Sequence, residues 1–78
     1  MQEFVIRLHS VRDVQEFVSA ATSQPYPVMV SDGKYTAKGE SFMEMFCLAL
    51  AGPLTVLADC DAEALKSLLE ASERFLLK

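Results

Sequence analysis

The spacing of hydrophobic and polar positions changes several times along the chain, and each change marks an element. Glu3 to Leu8 reads as a strand, with the β formers Phe4, Val5 and Ile6 followed by Arg7, which interrupts the apolar run. From there the period lengthens. Val11, Val14, Phe17, Val18 and Ala21 recur at helical spacing, which predicts an amphipathic helix with one face turned inward. Ser10-Val11-Arg12-Asp13 marks its start as a capping box, because the Ser10 hydroxyl and the Asp13 carboxylate can satisfy free backbone N–H groups. Ser23-Gln24-Pro25 ends the helix, since Pro25 cannot continue it.

Tyr26 to Ser31 predicts a second strand and Lys34 to Lys38 its return, with Tyr26 and Tyr35 packing on strand faces. Between them Asp32-Gly33 is the strongest turn signal in the chain, because that dipeptide supports positive φ. Gly39-Glu40-Ser41 breaks the pattern, and Ser41 caps a short helix running to about Leu50. After the breaker pair Gly52-Pro53, Leu54 to Ala58 forms a fourth strand. Asp59-Cys60-Asp61 opens a last helix whose inner face carries Leu65, Leu68, Leu69 and Leu76, with Ser72 at the intervening position. Asp59, Asp61 and Glu63 gather where a helix dipole favours them, so capping accounts for them. The order is β-α-β-β-α-β-α: an α+β chain forming a single domain over residues 1–78, without linkers or repeats.

Composition agrees with one modest core, at 78 residues with 51% hydrophobic and 23% charged. The net charge of −4 argues against nucleic acid and anionic membrane surfaces, since Arg7, Arg12, Lys34, Lys38, Lys66, Arg74 and Lys78 are scattered and make no basic stripe. The longest apolar stretch, Phe42 to Ala58, contains Glu44 and Gly52-Pro53, so membrane insertion is not expected. The N-terminus carries no signal-peptide pattern, and a cytoplasmic address with reduced thiols is the expectation. Cys47 and Cys60 form neither a CxxC pair nor a zinc set, and His9 is the sole histidine, so no metal and no cofactor are expected. Cys60 near a helix start has no base or second cysteine beside it and reads as a structural thiol. No Ser-His-Asp set, phosphate-cradling glycine loop or pair of catalytic carboxylates can be assembled, so no catalysis of the chain's own is expected.

Several local runs resemble HPr, the histidine-containing phosphocarrier of the bacterial sugar phosphotransferase system. Glu16-Phe17-Val18-Ser19-Ala20-Ala21 is similar to the family's first-helix run, and Asp32-Gly33-Lys34 to its hairpin. Ser41-Phe42-Met43-Glu44-Met45 resembles the run that opens its second helix, and Thr55-Val56-Leu57 before acidic residues resembles its last strand. The resemblance covers nearly the whole chain and implies an open-faced sandwich, a four-stranded antiparallel sheet with three helices on one face. It also implies phosphotransferase-system enzymes or a regulator as protein partners.

The family accepts phosphate on a histidine where the first helix begins, facing helix N–H groups and a nearby arginine, both favourable to anions. The corresponding text here is Leu8-His9-Ser10-Val11-Arg12-Asp13, which makes His9 the candidate phosphoacceptor and Arg12 its partner. Arg12 lies three places after His9, where the family's arginine lies two after its histidine. Registering through Phe17 instead puts Ser10 at the acceptor position and Arg12 at the family's arginine. Asp13 adds a carboxylate to the first turn. Two like charges about 4–6 Å apart repel by roughly 2.5–4 kcal/mol at an effective dielectric near 20, comparable with what one cationic partner returns. The alternative role for His9 is that of a strand-end residue beside a capped helix.

Ser41 falls on the family's regulatory phosphorylation site, yet an ordinary N-cap also explains it, and Glu40 precedes it with a negative charge. In the helix that follows, Phe42, Met43, Met45, Phe46, Leu48, Ala49 and Leu50 occupy nearly every side. A helix on a small sheet buries one stripe, so some of these side chains stay exposed as an adaptable apolar patch, and the resemblance, in which this helix helps dock partners, implies Phe42, Met43, Met45 and Phe46 as the candidate partner-binding face. The other readings of this helix are a deeply packed element and a homodimer seam. Together these features point to an HPr-like protein-binding domain that carries phosphate poorly or not at all. An active phosphocarrier using His9 is one alternative. A βαββαβ ligand-binding or oligomerisation module, with a different strand order, is the other.

Overall fold

The computed structural model describes residues 2–48 and 52–76. In chain order it contains β1 (Gln2–Ile6), α1 (Val11–Thr22), β2 (Val28–Ser31), β3 (Thr36–Lys38), α2 (Phe42–Met45), β4 (Leu54–Ala58), α3 (Ala62–Ala71) and a 3-10 turn, Glu73–Phe75. The strands form one antiparallel sheet in the order β1-β4-β2-β3. The last strand therefore lies inside, between β1 and β2. This order removes the βαββαβ alternative.

Strand alternation assigns the two faces of the sheet. Ile6, Val28, Val30, Ala37, Leu54, Val56 and Ala58 turn to the helices and are buried. Val14, Phe17 and Ala21 of α1, Met45 of α2, and Leu65 and Leu68 of α3 complete the core from above. The apolar periodicity of α1 thus selects the buried face, except at its first turn. There Val11 is 57% exposed.

Several boundaries differ from the sequence expectation for local reasons. The hairpin between β2 and β3 closes through a four-residue loop, so β3 starts at Thr36 and not at Lys34. Asp32 sets that loop: its Oδ1 accepts the N–H groups of Lys34 and Tyr35, both at 2.8 Å, and Gly33 adopts a φ of 98°. Tyr35 sits in the loop, 67% exposed, not on a strand face. Tyr26 precedes β2, packs at the edge of the core and donates its hydroxyl to the Ala64 carbonyl at 3.3 Å. Of the expected second helix, α2 forms a single turn before Phe46-Cys47-Leu48 leave the helical path, and Ala49 and Leu50 lie outside the described residues.

Helix α3 starts as expected, with the Asp61 side chain accepting the Ala64 N–H at 2.8 Å. Leu76 lies beyond the helix. It bridges to Ile6, and Arg7 donates its N–H to the Phe75 carbonyl at 2.8 Å, so the tail lies along the outer edge of β1. That pairing covers part of an otherwise open strand edge.

Two substitutions should move stability in opposite directions. The Ser72 hydroxyl is fully buried with no hydrogen-bond partner, so Ser72→Ala should raise the unfolding free energy read by urea denaturation, by about 1 kcal/mol. A Cβ at Gly39 would lie 2.9 Å from Val28 Cγ1 and 3.2 Å from the Val28 carbonyl, so Gly39→Ala should lower it, by about 1–3 kcal/mol. A destabilised Ser72→Ala protein would mean that the hydroxyl has a partner.

Candidate functional site at the start of the first helix

The turn from β1 into α1 is built by reciprocal capping. Ser10 has extended backbone geometry and its hydroxyl accepts the Asp13 N–H at 3.1 Å. Asp13 reaches back, but one residue further than the usual capping box: its Oδ2 accepts the N–H of His9 at 2.9 Å. Ser10 is therefore the residue at which the helix begins, and His9 stands one place before it.

The charged groups around this turn pair among themselves. Arg74, brought here by the tail along β1, places Nη2 at 3.2 Å from Asp13 Oδ1 and also pairs with Glu16. Its guanidinium carbon lies 4.8 Å from the centre of the Phe75 ring. Arg12, the sequence candidate for anion binding, extends into solvent with its side chain 84% exposed and meets Glu16 at 3.7 Å. Two arginines thus face two carboxylates.

The Asp13 carboxyl is held below the usual aspartate range, chiefly by the His9 N–H, which outweighs the opposing effect of burial with help from Arg74 and Ser10. At neutral pH the helix start therefore contains a fixed negative charge. The His9 ring is exposed.

The structure brings His9 and Asp13 together and directs Arg12 toward Glu16. Arg74 and Glu16 were not singled out by sequence reasoning. Arg74 lies 61 residues from Asp13 and 58 from Glu16, and no local spacing announces such a contact.

The exposed large hydrophobic residues here are Met43 of α2, at 82%, and Phe46 at its C-cap, at 42%, while Phe42 is half-buried and stacks edge-on against Phe46 at 4.7 Å. Met45 is fully buried and belongs to the core, because a single helical turn leaves one position pointing at the sheet. That removes it from the candidate docking face. The Ser41 hydroxyl accepts the Glu44 N–H at 3.4 Å, and Glu44 Oε1 accepts the Lys38 N–H at 3.4 Å. Ser41 is thus an N-cap between two acidic residues, Glu40 and Glu44.

Cys60 lies beside Tyr26. Burial pushes the Tyr26 hydroxyl up to about 12, with a contribution from the neighbouring thiol. Among the described residues no three His, Cys, Asp or Glu side chains converge as a metal set, and no helix is long and apolar enough to cross a membrane.

The crystal structure of HPr-C-His from Thermoanaerobacter tengcongensis is similar to this chain with a TM-score of 0.75, over 94% of this chain and 92% of that one, at 24% sequence identity. The chain has the HPr fold. No protein-family model matches it, and neither does any curated protein. At this identity the likeness extends to the four-stranded sheet and its three helices, and the chemistry rests on the side chains described above.

Linkage gives the pH dependence of this cap. A carboxyl depressed by folding stabilises the folded state above the ordinary aspartate range, and that contribution is lost as pH falls through the folded value. Wild type should therefore exceed Asp13→Asn in stability by about 1 kcal/mol near neutral pH. Urea midpoints should converge as pH falls below about 4. A gap that widens in acid would contradict the assignment.

Proposed function

We propose that this protein is an HPr-like protein-binding or regulatory domain related to the phosphoenolpyruvate-dependent sugar phosphotransferase system, and a poor phosphocarrier. The observation that carries this reading is the Asp13 carboxylate, bound to the His9 N–H at 2.9 Å and held by Arg74. A helix N-terminus attracts one anion through its free N–H groups and dipole. In this chain a side-chain anion already sits there. A phosphoryl group on His9 would arrive beside it, with Arg12 paired to Glu16 and Arg74 paired to both acids.

Partner recognition in this reading falls to α2, where Met43 and Phe46 present adaptable apolar surface and Phe42 backs Phe46. Ser41 serves as the cap of that turn. A phosphate on it would meet Glu40 and Glu44 as close sequence neighbours, which weakens a regulatory role for the site. The exposed His9 ring favours one competing reading, an active carrier.

Incubation with phosphoenolpyruvate and Enzyme I separates the two. Wild type should take up little acid-labile phosphate, and Asp13→Asn should take up more, in a manner abolished by adding His9→Ala. Stoichiometric labelling of wild type that disappears in His9→Ala would establish the carrier instead.

The docking face has its own test. Phe46→Asp should weaken capture by immobilised Enzyme I at least about tenfold while leaving the circular dichroism spectrum unchanged. Undiminished capture would remove α2 from the interface.

A further inference from the structure

The three helices cover one face of the sheet, and the other face has its own order. Strand alternation turns Glu3 and Val5 of β1, Thr55 and Leu57 of β4, Met29 and Ser31 of β2, and Thr36 and Lys38 of β3 away from the core. The register arranges them in two rows across the four strands. One row runs Glu3, Leu57, Met29, Lys38 and the other Val5, Thr55, Ser31, Thr36.

The first row is self-complementary. It has an acid at the β1 edge, a base at the β3 edge and two apolar side chains between them. Among the described residues neither Glu3 nor Lys38 has an ion pair within the chain, and both are exposed. Val5, 38% exposed, lies diagonally beside Leu57 and extends the apolar centre. The second row is neutral and built from small hydroxyl residues plus Val5, so it offers no bulky or charged obstacle to a second sheet approaching to about 10 Å.

We propose that a second copy of this chain packs on the open face of the sheet, about a two-fold axis running along the strands. That operation exchanges left and right across the sheet. Glu3 of one copy then faces Lys38 of the other, Leu57 faces Met29, and each contact occurs twice, as an isologous interface requires. A second copy is favoured over an unrelated protein because the row matches its own reversed image in both charge and apolarity. The four strands span only roughly 14 Å, so the buried area is small and the dimer is weak, with a dissociation constant of micromolar order or above. The helical face, with His9 and α2, stays free in both copies.

Sedimentation equilibrium of the full chain, over a range of concentrations, reads this directly. Wild type should show a reversible monomer–dimer equilibrium that weakens as salt is raised. Glu3→Lys and Lys38→Glu should each weaken it at least about tenfold, because each replaces two attractive contacts by two repulsive ones. Mixing those two variants should restore dimers, as should the double variant Glu3→Lys/Lys38→Glu within one chain. Leu57→Lys should abolish dimers with an unchanged circular dichroism spectrum. A protein that stays monomeric at millimolar concentration overturns the proposal. So does a dimer indifferent to the charge reversals, and a face whose Leu57→Lys variant loses only binding to a different protein assigns that partner instead.

Discussion

Asp13 ties together three parts of the chain that meet at the start of the first helix. One carboxylate oxygen receives the His9 N–H from the turn after β1, and the other receives Arg74 from the tail after α3, while the backbone N–H of the same residue is held by Ser10. In energy these contacts are small. A cap contributes about 1 kcal/mol and an exposed ion pair less, against a total stability of about 5–15 kcal/mol for such a domain. Their weight lies in placement. A helix start is the natural seat for an anion, and here the chain fills that seat from its own sequence.

The sheet makes this arrangement possible. With β4 seated between β1 and β2, the chain leaves α3 on the helical side and returns along the free edge of β1, where Leu76 bridges to Ile6. That return carries Arg74 to Asp13 and Glu16. Without the edge pairing, Arg74 would be one more scattered cation, and the carboxylate would face the helix start with only the His9 and Ser10 contacts. The same topology leaves the far side of the sheet uncovered by the helices.

Much of the fold was legible in the sequence because it rests on periodicity and local breakers. The helical spacing from Val14 to Ala21, the Asp32-Gly33 turn, the Ser10 and Asp61 caps and the strand at 54–58 all report on neighbours a few residues apart. The misjudged features depend on something else. With α2 only one turn long, Met45 is its one fully buried residue, and Met43 and Phe46 stay outside. The early start assigned to β3 overlooked the two N–H groups that Asp32 binds, which lengthen the loop. At the site, His9, Arg12 and Asp13 could be named from their spacing. Arg74 could not, since its role arises from an edge pairing between the first strand and the tail.

The account stands on Asp13 excluding other anions from the His9 N–H. An NMR titration of the backbone amides with inorganic phosphate at neutral pH tests this most directly. The His9 amide should not respond to phosphate, and lowering the pH should shift its resonance with a midpoint below that of an ordinary aspartate. A saturable shift of the His9 amide on adding phosphate, with Asp13 still ionised, would show that the seat is open and contradict the account.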